Sequence, residues 1–215
     1  MEVVAAINRA KYDIFRWRYE LSIPWKLVLA LGVAGLTGLL AQVRLPLPWS
    51  PVPITGQTLA VLLAGVLLGR WWGGISMAIY VGLGAIGLSW FSGWSSGLGA
   101  TGGYIIGFIL AALFLGYFTD RYIRSRSFFS MLGLMLLANF ALIYIPGLIW
   151  LGLWLNAVSG ASVNFIMLLG MGAIPFIAGD ITKAVLAAAV ARGVTPKSAY
   201  NGEIDKGKWA SWRLP

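Results

Sequence analysis

The chain has 215 residues, 59% of them hydrophobic and 11% charged, with a mean hydropathy of +0.82. A soluble domain carries about 25% charged residues, and a body of this size has too little interior to hide so many apolar side chains; the composition is that of a membrane protein with material for about six spans of about 20 residues each. The absence of His and Cys excludes thiolate nucleophiles, disulfides, His-based acid–base chemistry and His- or Cys-ligated zinc, haem or iron–sulfur sites, while the net charge of +9 has to be read from its distribution.

Residues 1–26 mix basic, acidic and apolar residues at close to helical spacing, with Val4, Ile7, Ile14, Phe15 and Leu21 on the apolar side. They predict a retained interfacial helix, without the order or cleavage site of a signal peptide. Apolar runs at 27–43, 54–69, 72–90, 102–118, 131–152 and 172–191 predict six spans, the first two rather short. Residues 193–215 form a basic tail. With the N-terminus inside, the inner segments hold 14 of the 16 cations: Arg9, Lys11, Arg16, Arg18, Lys26, Arg70, Arg121, Arg124, Arg126, Arg192, Lys197, Lys206, Lys208 and Arg213. The outer segments hold Arg44 alone. The asymmetry obeys the positive-inside rule with both termini cytoplasmic, which makes the +9 a matter of topology and removes nucleic acid as a partner.

The outer connectors are of a different kind. Residues 44–58 (RLPLPWSPVPITGQT) combine four prolines, Trp49 and hydrogen-bonding side chains, and residues 89–104 (SWFSGWSSGLGATGGY) are uncharged and rich in glycine, with Trp90 and Trp94. The third, about 153–171, is only weakly polar and reads as a helix lying on or dipping into the outer leaflet.

Within the spans the ionisable residues are Asp180 and Lys183, in PFIAGDITKAV. Charges there cost roughly 3 kcal/mol each on insertion scales. A spacing of i to i+3 sets them on one helix face, able to pair, and Asp180 lies 12 residues before Arg192, about 18 Å along a helix, around or above the midplane and within reach of the outer connectors. An ion pair that only holds helices in register is one reading. A proton or ion relay would need further acidic or His sites, and a lone carboxylate is a thin apparatus for an enzyme. The remaining reading is a binding site for a small polar ligand, with a carboxylate to accept and an ammonium to donate. Small residues recur at Ala30 and Ala34, at Gly103 and Gly107, and at Gly82, Gly84 and Gly87. They permit close helix approach, and the Ala30/Ala34 face is expected to dock a partner membrane subunit. No phosphate-binding loop spacing is present, so energy for uphill transport has to come from another chain, and neither a cofactor nor a metal is expected.

Four stretches, VPITGQTLAVLLAGVLLG at 52–69, YVGLGAIGL at 80–88, GATGGYIIGF at 99–108 and PFIAGDITKAVLAA at 175–188, resemble in order and spacing the BioY family, the biotin-specific substrate-capture (S) subunits of energy-coupling-factor transporters. The resemblance covers about residues 27–192. It implies an all-α, multi-pass, six-helix bundle in a prokaryotic cell membrane. Such a bundle captures biotin from outside and hands it to a transmembrane coupling (T) subunit and two ATPase subunits, itself being no enzyme. It implies that Asp180 and Lys183 hydrogen-bond biotin, that Thr55 and Gln57 close over the pocket, that Thr101, Gly102, Gly103 and Tyr104 form a second contact segment, and that Tyr80, Trp90 and Phe91 contribute from the third span and its connector. The chain departs from the family pattern in having SWFSGW where a Pro-Val-Phe-rich segment is usual, and Ala100 and Ala178 where Pro is usual. An S subunit for a different vitamin or small heterocycle is the alternative.

Overall fold

The computed structural model describes residues 2–160, 163–200 and 202–209. Arg213 and the other residues of the tail from 210 onward lie outside the described residues. The described chain is a helical bundle with one small sheet. In order it comprises α1 (Glu2–Glu20), α2 (Ile23–Gln42), a hairpin of β1 (Arg44–Leu47) and β2 (Ser50–Thr55), α3 (Gln57–Leu68), α4 (Arg70–Ala85), α5 (Gly102–Arg121), α6 (Phe128–Leu137), a π-helical segment (Ala138–Ile143), α7 (Tyr144–Ser159), α8 (Phe165–Gly172), α9 (Ile177–Val194) and α10 (Lys206–Trp209).

Four helical stretches among the described residues are long and apolar enough to cross a membrane: Ile23–Gln42, Gly102–Arg121, Phe128–Val158 and Phe165–Val194. α3 and α4 stand where the second and third spans are expected, but with 12 and 16 residues they reach only about 18 and 24 Å, short of a hydrocarbon core of about 30 Å. The reason is visible at each end. The run expected from residue 54 gives its first residues to β2, and the run expected to continue to 90 stops at Ala85, ahead of Gly87 with φ +122°. Between the two helices the chain turns on Gly69 alone, whose φ of +83° and contact with the Asp120 carboxylate leave no room for a Cβ.

The first outer connector is a hairpin rather than an irregular loop. Arg44 pairs with Thr55, Leu45 with Ile54 and Leu47 with Ser50, with a register shift between Leu45 and Leu47. Pro46, Pro51 and Pro53 carry no N–H for a ladder, and in place of further pairing the strands lean on the bundle, with Val52 buried in the core. Ser50 Oγ donates to Met171 O in α8 (2.6 Å) and Lys183 Nζ donates to Thr55 O (2.8 Å). The third connector contains a helix, as expected: α8 packs against α7 and β2.

Ala30 and Ala34 require a correction. Both are fully buried within this chain, and Ser76 Oγ of α4 donates to Ala30 O (2.8 Å). The small-residue face of α2 packs α4 internally and is not open to another subunit; the face α2 leaves exposed carries Val28, Leu31, Leu36 and Leu39.

α1 and the segment after α9 gather at the far end of the bundle from the hairpin. Arg18 donates to Val66 O and Leu67 O at the end of α3 (3.0 and 2.9 Å), to Asp120 (2.7 Å) and to Tyr200 Oη (2.6 Å). Arg126 and Glu203, both buried, pair at 2.6 Å, and Arg126 also donates to Thr119 O, Pro196 O and Ser198 O. Burial pushes the Tyr200 phenol well above its ordinary value, so it stays neutral beside Arg18 and Asp120. The tail is thus a folded clasp over the described part of its length.

Candidate functional site

α9 begins after a tight turn at Ile174–Phe176, which carries Pro175 where the missing N–H costs nothing. Asp180 falls in the first turn of α9, where the helix dipole favours a negative charge. Its carboxylate is buried and has four partners. Oδ1 pairs with Lys183 Nζ of the same helix and accepts from Thr58 Oγ1 (3.2 Å); Oδ2 accepts from Asn139 Nδ2 (3.0 Å) and Tyr144 Oη (2.5 Å). Four partners use every lone pair a carboxylate offers.

A cavity of about 60 Å³ lies against this pair. Its wall is formed by Thr55, Gln57 and Thr58 from the hairpin and α3, by Thr101, Tyr104, Ile105 and Phe108 at the start of α5, by Ile143 and Tyr144, by Phe176, and by Asp180 and Lys183. Val52, Pro53 and Ile54 of β2 complete the wall on the hairpin side, with Ser92. Most of the wall is apolar, with a carboxylate, an ammonium, an amide and hydroxyls converging on it, which is the character of a small-molecule site. Its volume is well below the ~300 Å³ at which such sites begin, so a drug-sized ligand enters only if part of the wall moves.

Of the residues expected from sequence, Thr55, Gln57, Thr101, Tyr104, Asp180 and Lys183 line this one cavity. Thr55 Oγ1 donates to Gln57 Oε1 (2.9 Å), and Tyr104 Oη is engaged by Gly172 O (2.7 Å). The others stand behind the wall. Tyr80 is fully buried and accepts from Gln57 Nε2 (2.6 Å), so it aims the amide without lining the space. The Trp90 indole donates to Tyr80 O (2.9 Å), and Phe91 is wedged against Gly84. Gly102 and Gly103 let α5 lie against Trp150 and Pro146, where a Cβ would come within 2.7 and 2.2 Å of neighbouring atoms; their part is packing.

The sequence reading missed Thr58, Ser92, Asn139 and Tyr144. Ser92 Oγ is buried with no hydrogen-bond partner. Asn139 is the single amide in the run 131–152, a polar outlier in an apolar helix, and that was signal enough to have drawn attention to it. Among the described residues no cluster of His, Cys, Asp and Glu could hold a metal ion.

A family model described as the BioY family matches residues 16–200. The chain belongs to the BioY family. The match is wider at both ends than the span carrying the resemblance, and takes in Arg18 and Tyr200 of the clasp. Among relatives, the probable biotin transporter BioY of Methanothermobacter thermautotrophicus is 56% identical over 157 residues, covering 71% of this chain and 100% of that protein. The biotin transporter BioY of Thermotoga maritima is 33% identical over 149 residues, covering 67% of this chain and 82% of its own length. A crystal structure of the S-component for biotin from an ECF-type ABC transporter superposes with a TM-score of 0.68 at 27% identity, covering 80% of this chain and 93% of that one. The BioY chain described here therefore has an S-component fold.

Proposed function

We propose that this chain is the biotin-capturing membrane subunit of an ECF-type ABC transporter, with biotin bound in the cavity beneath the hairpin. The observation that carries the reading is the Asp180–Lys183 pair on the wall of a small, mostly apolar cavity. Biotin's ureido ring offers two N–H donors and a carbonyl, which suit a carboxylate and an ammonium, and its fused rings and aliphatic chain suit Ile105, Phe108, Ile143 and Phe176. The placement of 14 cations on the inner segments and the gathering of α1 and the tail opposite the hairpin support a cytoplasmic location for both termini, with the cavity facing outward. In this reading the chain crosses a prokaryotic cell membrane six times, α3 and α4 being its short spans. A transmembrane coupling subunit and two ATPase subunits supply the work of uptake, and the chain itself catalyses no reaction.

Isothermal titration of the purified protein tests the ligand. Saturable biotin binding is expected, weakened by well over tenfold in Asp180→Asn and in Lys183→Met. Binding as tight as the wild type's in both variants overturns the site, and displacement of biotin by thiamine but not by desthiobiotin overturns the choice of ligand.

A further inference from the structure

A π-helical turn is rare and carries a packing penalty, so one in the middle of an apolar span calls for a cause. The segment Ala138–Ile143 has Asn139 near one end and is followed at once by Tyr144, five residues on. In an α-helix residues five apart are separated by about 140° around the axis and cannot both reach one atom. In the wider π turn, which bonds i to i+5, the angle between them closes to about 50°, and both side chains can face one atom. Here both do reach one atom: Asn139 Nδ2 at 3.0 Å and Tyr144 Oη at 2.5 Å from Asp180 Oδ2.

The two oxygens of Asp180 are held by different kinds of group. Of the partners of Oδ2, Asn139 is fully buried and stands behind the cavity wall, while Tyr144, nearly buried, lines it. The partners of Oδ1 are Thr58 and Lys183, both on the cavity wall, and the Lys183 side chain is the more exposed member of the ion pair, at 15% against 4%. A ligand N–H can therefore take Oδ1 by moving Thr58 or Lys183 aside, while Oδ2 stays fixed. Asn139 also keeps its own Oδ1 buried without a partner, a penalty an apolar residue of similar size would not bring.

We infer that the π segment serves to set Asn139 and Tyr144 together on Asp180 Oδ2, so that Asn139 is a positioning residue that presents Oδ1 of the carboxylate to the ligand. Resting on the biotin reading above, the inference assigns Asn139 a role exerted through Asp180 and not through contact with the ligand.

Equilibrium binding of radiolabelled biotin to four purified proteins, wild type, Asn139→Leu, Asp180→Asn and the double variant, tests it. Asn139→Leu is expected to weaken binding at least tenfold in the wild-type background and less than twofold where Asp180 is already Asn. An equal loss in both backgrounds, or no loss in the first, overturns the inference, because a residue that only shapes the helix acts regardless of the carboxylate. Tyr144→Phe removes a single hydroxyl and keeps the fold; it is expected to weaken binding at least threefold and to add less than twofold on top of Asn139→Leu, and full additivity overturns the shared role. Should Asp180→Asn bind biotin as the wild type does, it is the site reading that fails, a separate outcome from an uncoupled Asn139.

Discussion

Replacing Ser50 by Ala should change the speed of ligand exchange without changing affinity. The cavity holds about 60 Å³, too little for a bicyclic ligand with a side chain; with biotin in this cavity, as proposed, and the hairpin as the part of the wall that yields, the hairpin parts from the bundle before biotin enters or leaves. Among the described residues, two side-chain hydrogen bonds tie it to the bundle beside the packing of Val52: Lys183 Nζ to Thr55 O at the base and Ser50 Oγ to Met171 O, 2.6 Å, near the tip. Lys183 lines the cavity, and Ser50 does not. A net hydrogen bond is worth about 0.5–1.5 kcal/mol, and removing one that exists only in the closed state raises the open fraction by about 2- to 13-fold. If the bound state is closed by the same latch, association and dissociation accelerate by that common factor and Kd stays within about twofold. The bond from Val52 N to Ser50 Oγ (3.0 Å) lies within the hairpin and is lost from open and closed states alike. Exchange of radiolabelled biotin followed by rapid filtration gives both rates. Unchanged rates, or a faster dissociation with an unaltered association rate, would refute the reasoning.

Ala34→Trp should reduce the yield of folded protein and lower the thermal midpoint in detergent even when no partner subunit is present, because the site is completely buried inside the bundle and overpacking a filled core costs about 1–3 kcal/mol or more; a variant with normal stability and defective assembly would restore the docking reading. Arg126→Met should destabilise the chain by about 3–5 kcal/mol by removing the cation that pairs at 2.6 Å with the buried Glu203 carboxylate. The double variant Arg126→Met/Glu203→Met should recover most of that loss, while biotin affinity stays within about twofold throughout, since the clasp lies at the opposite end from the cavity. Thermal melts and titrations of the three proteins decide it, and a double variant no better than the single one would count against a paired-charge clasp.

The helices were legible because apolar runs in a chain so poor in charge leave few alternatives, and Asp180 and Lys183 were legible because a charge inside a span needs a partner and a reason. What escaped had its cause outside the local pattern. Prolines at nearly every second position of 44–55 argue against a sheet, yet a two-stranded ribbon that leans on the bundle needs few ladder bonds. Ala30 and Ala34 state that something approaches closely, and the same spacing serves a neighbour in the same chain as well as one in another; only the position of α4 decides. Trp90 and Phe91 sit in a connector full of ligand-like chemistry, but the notch left by Gly84 holds Phe91 behind the wall.

Asn139 is the instructive case, because its signal was of the same kind as that of Asp180. A side-chain amide in a hydrocarbon span has no water to fall back on, so it must find a partner within the protein, and here the buried carboxylate of Asp180, on a neighbouring span, takes its N–H. The scarcity that singled out one carboxylate therefore also determines what the lone amide of the fifth run is for, and the helix distorts to bring the two together. In apolar bundles of this kind, polar outliers in separate spans are best sought as partners of one another before each is explained alone.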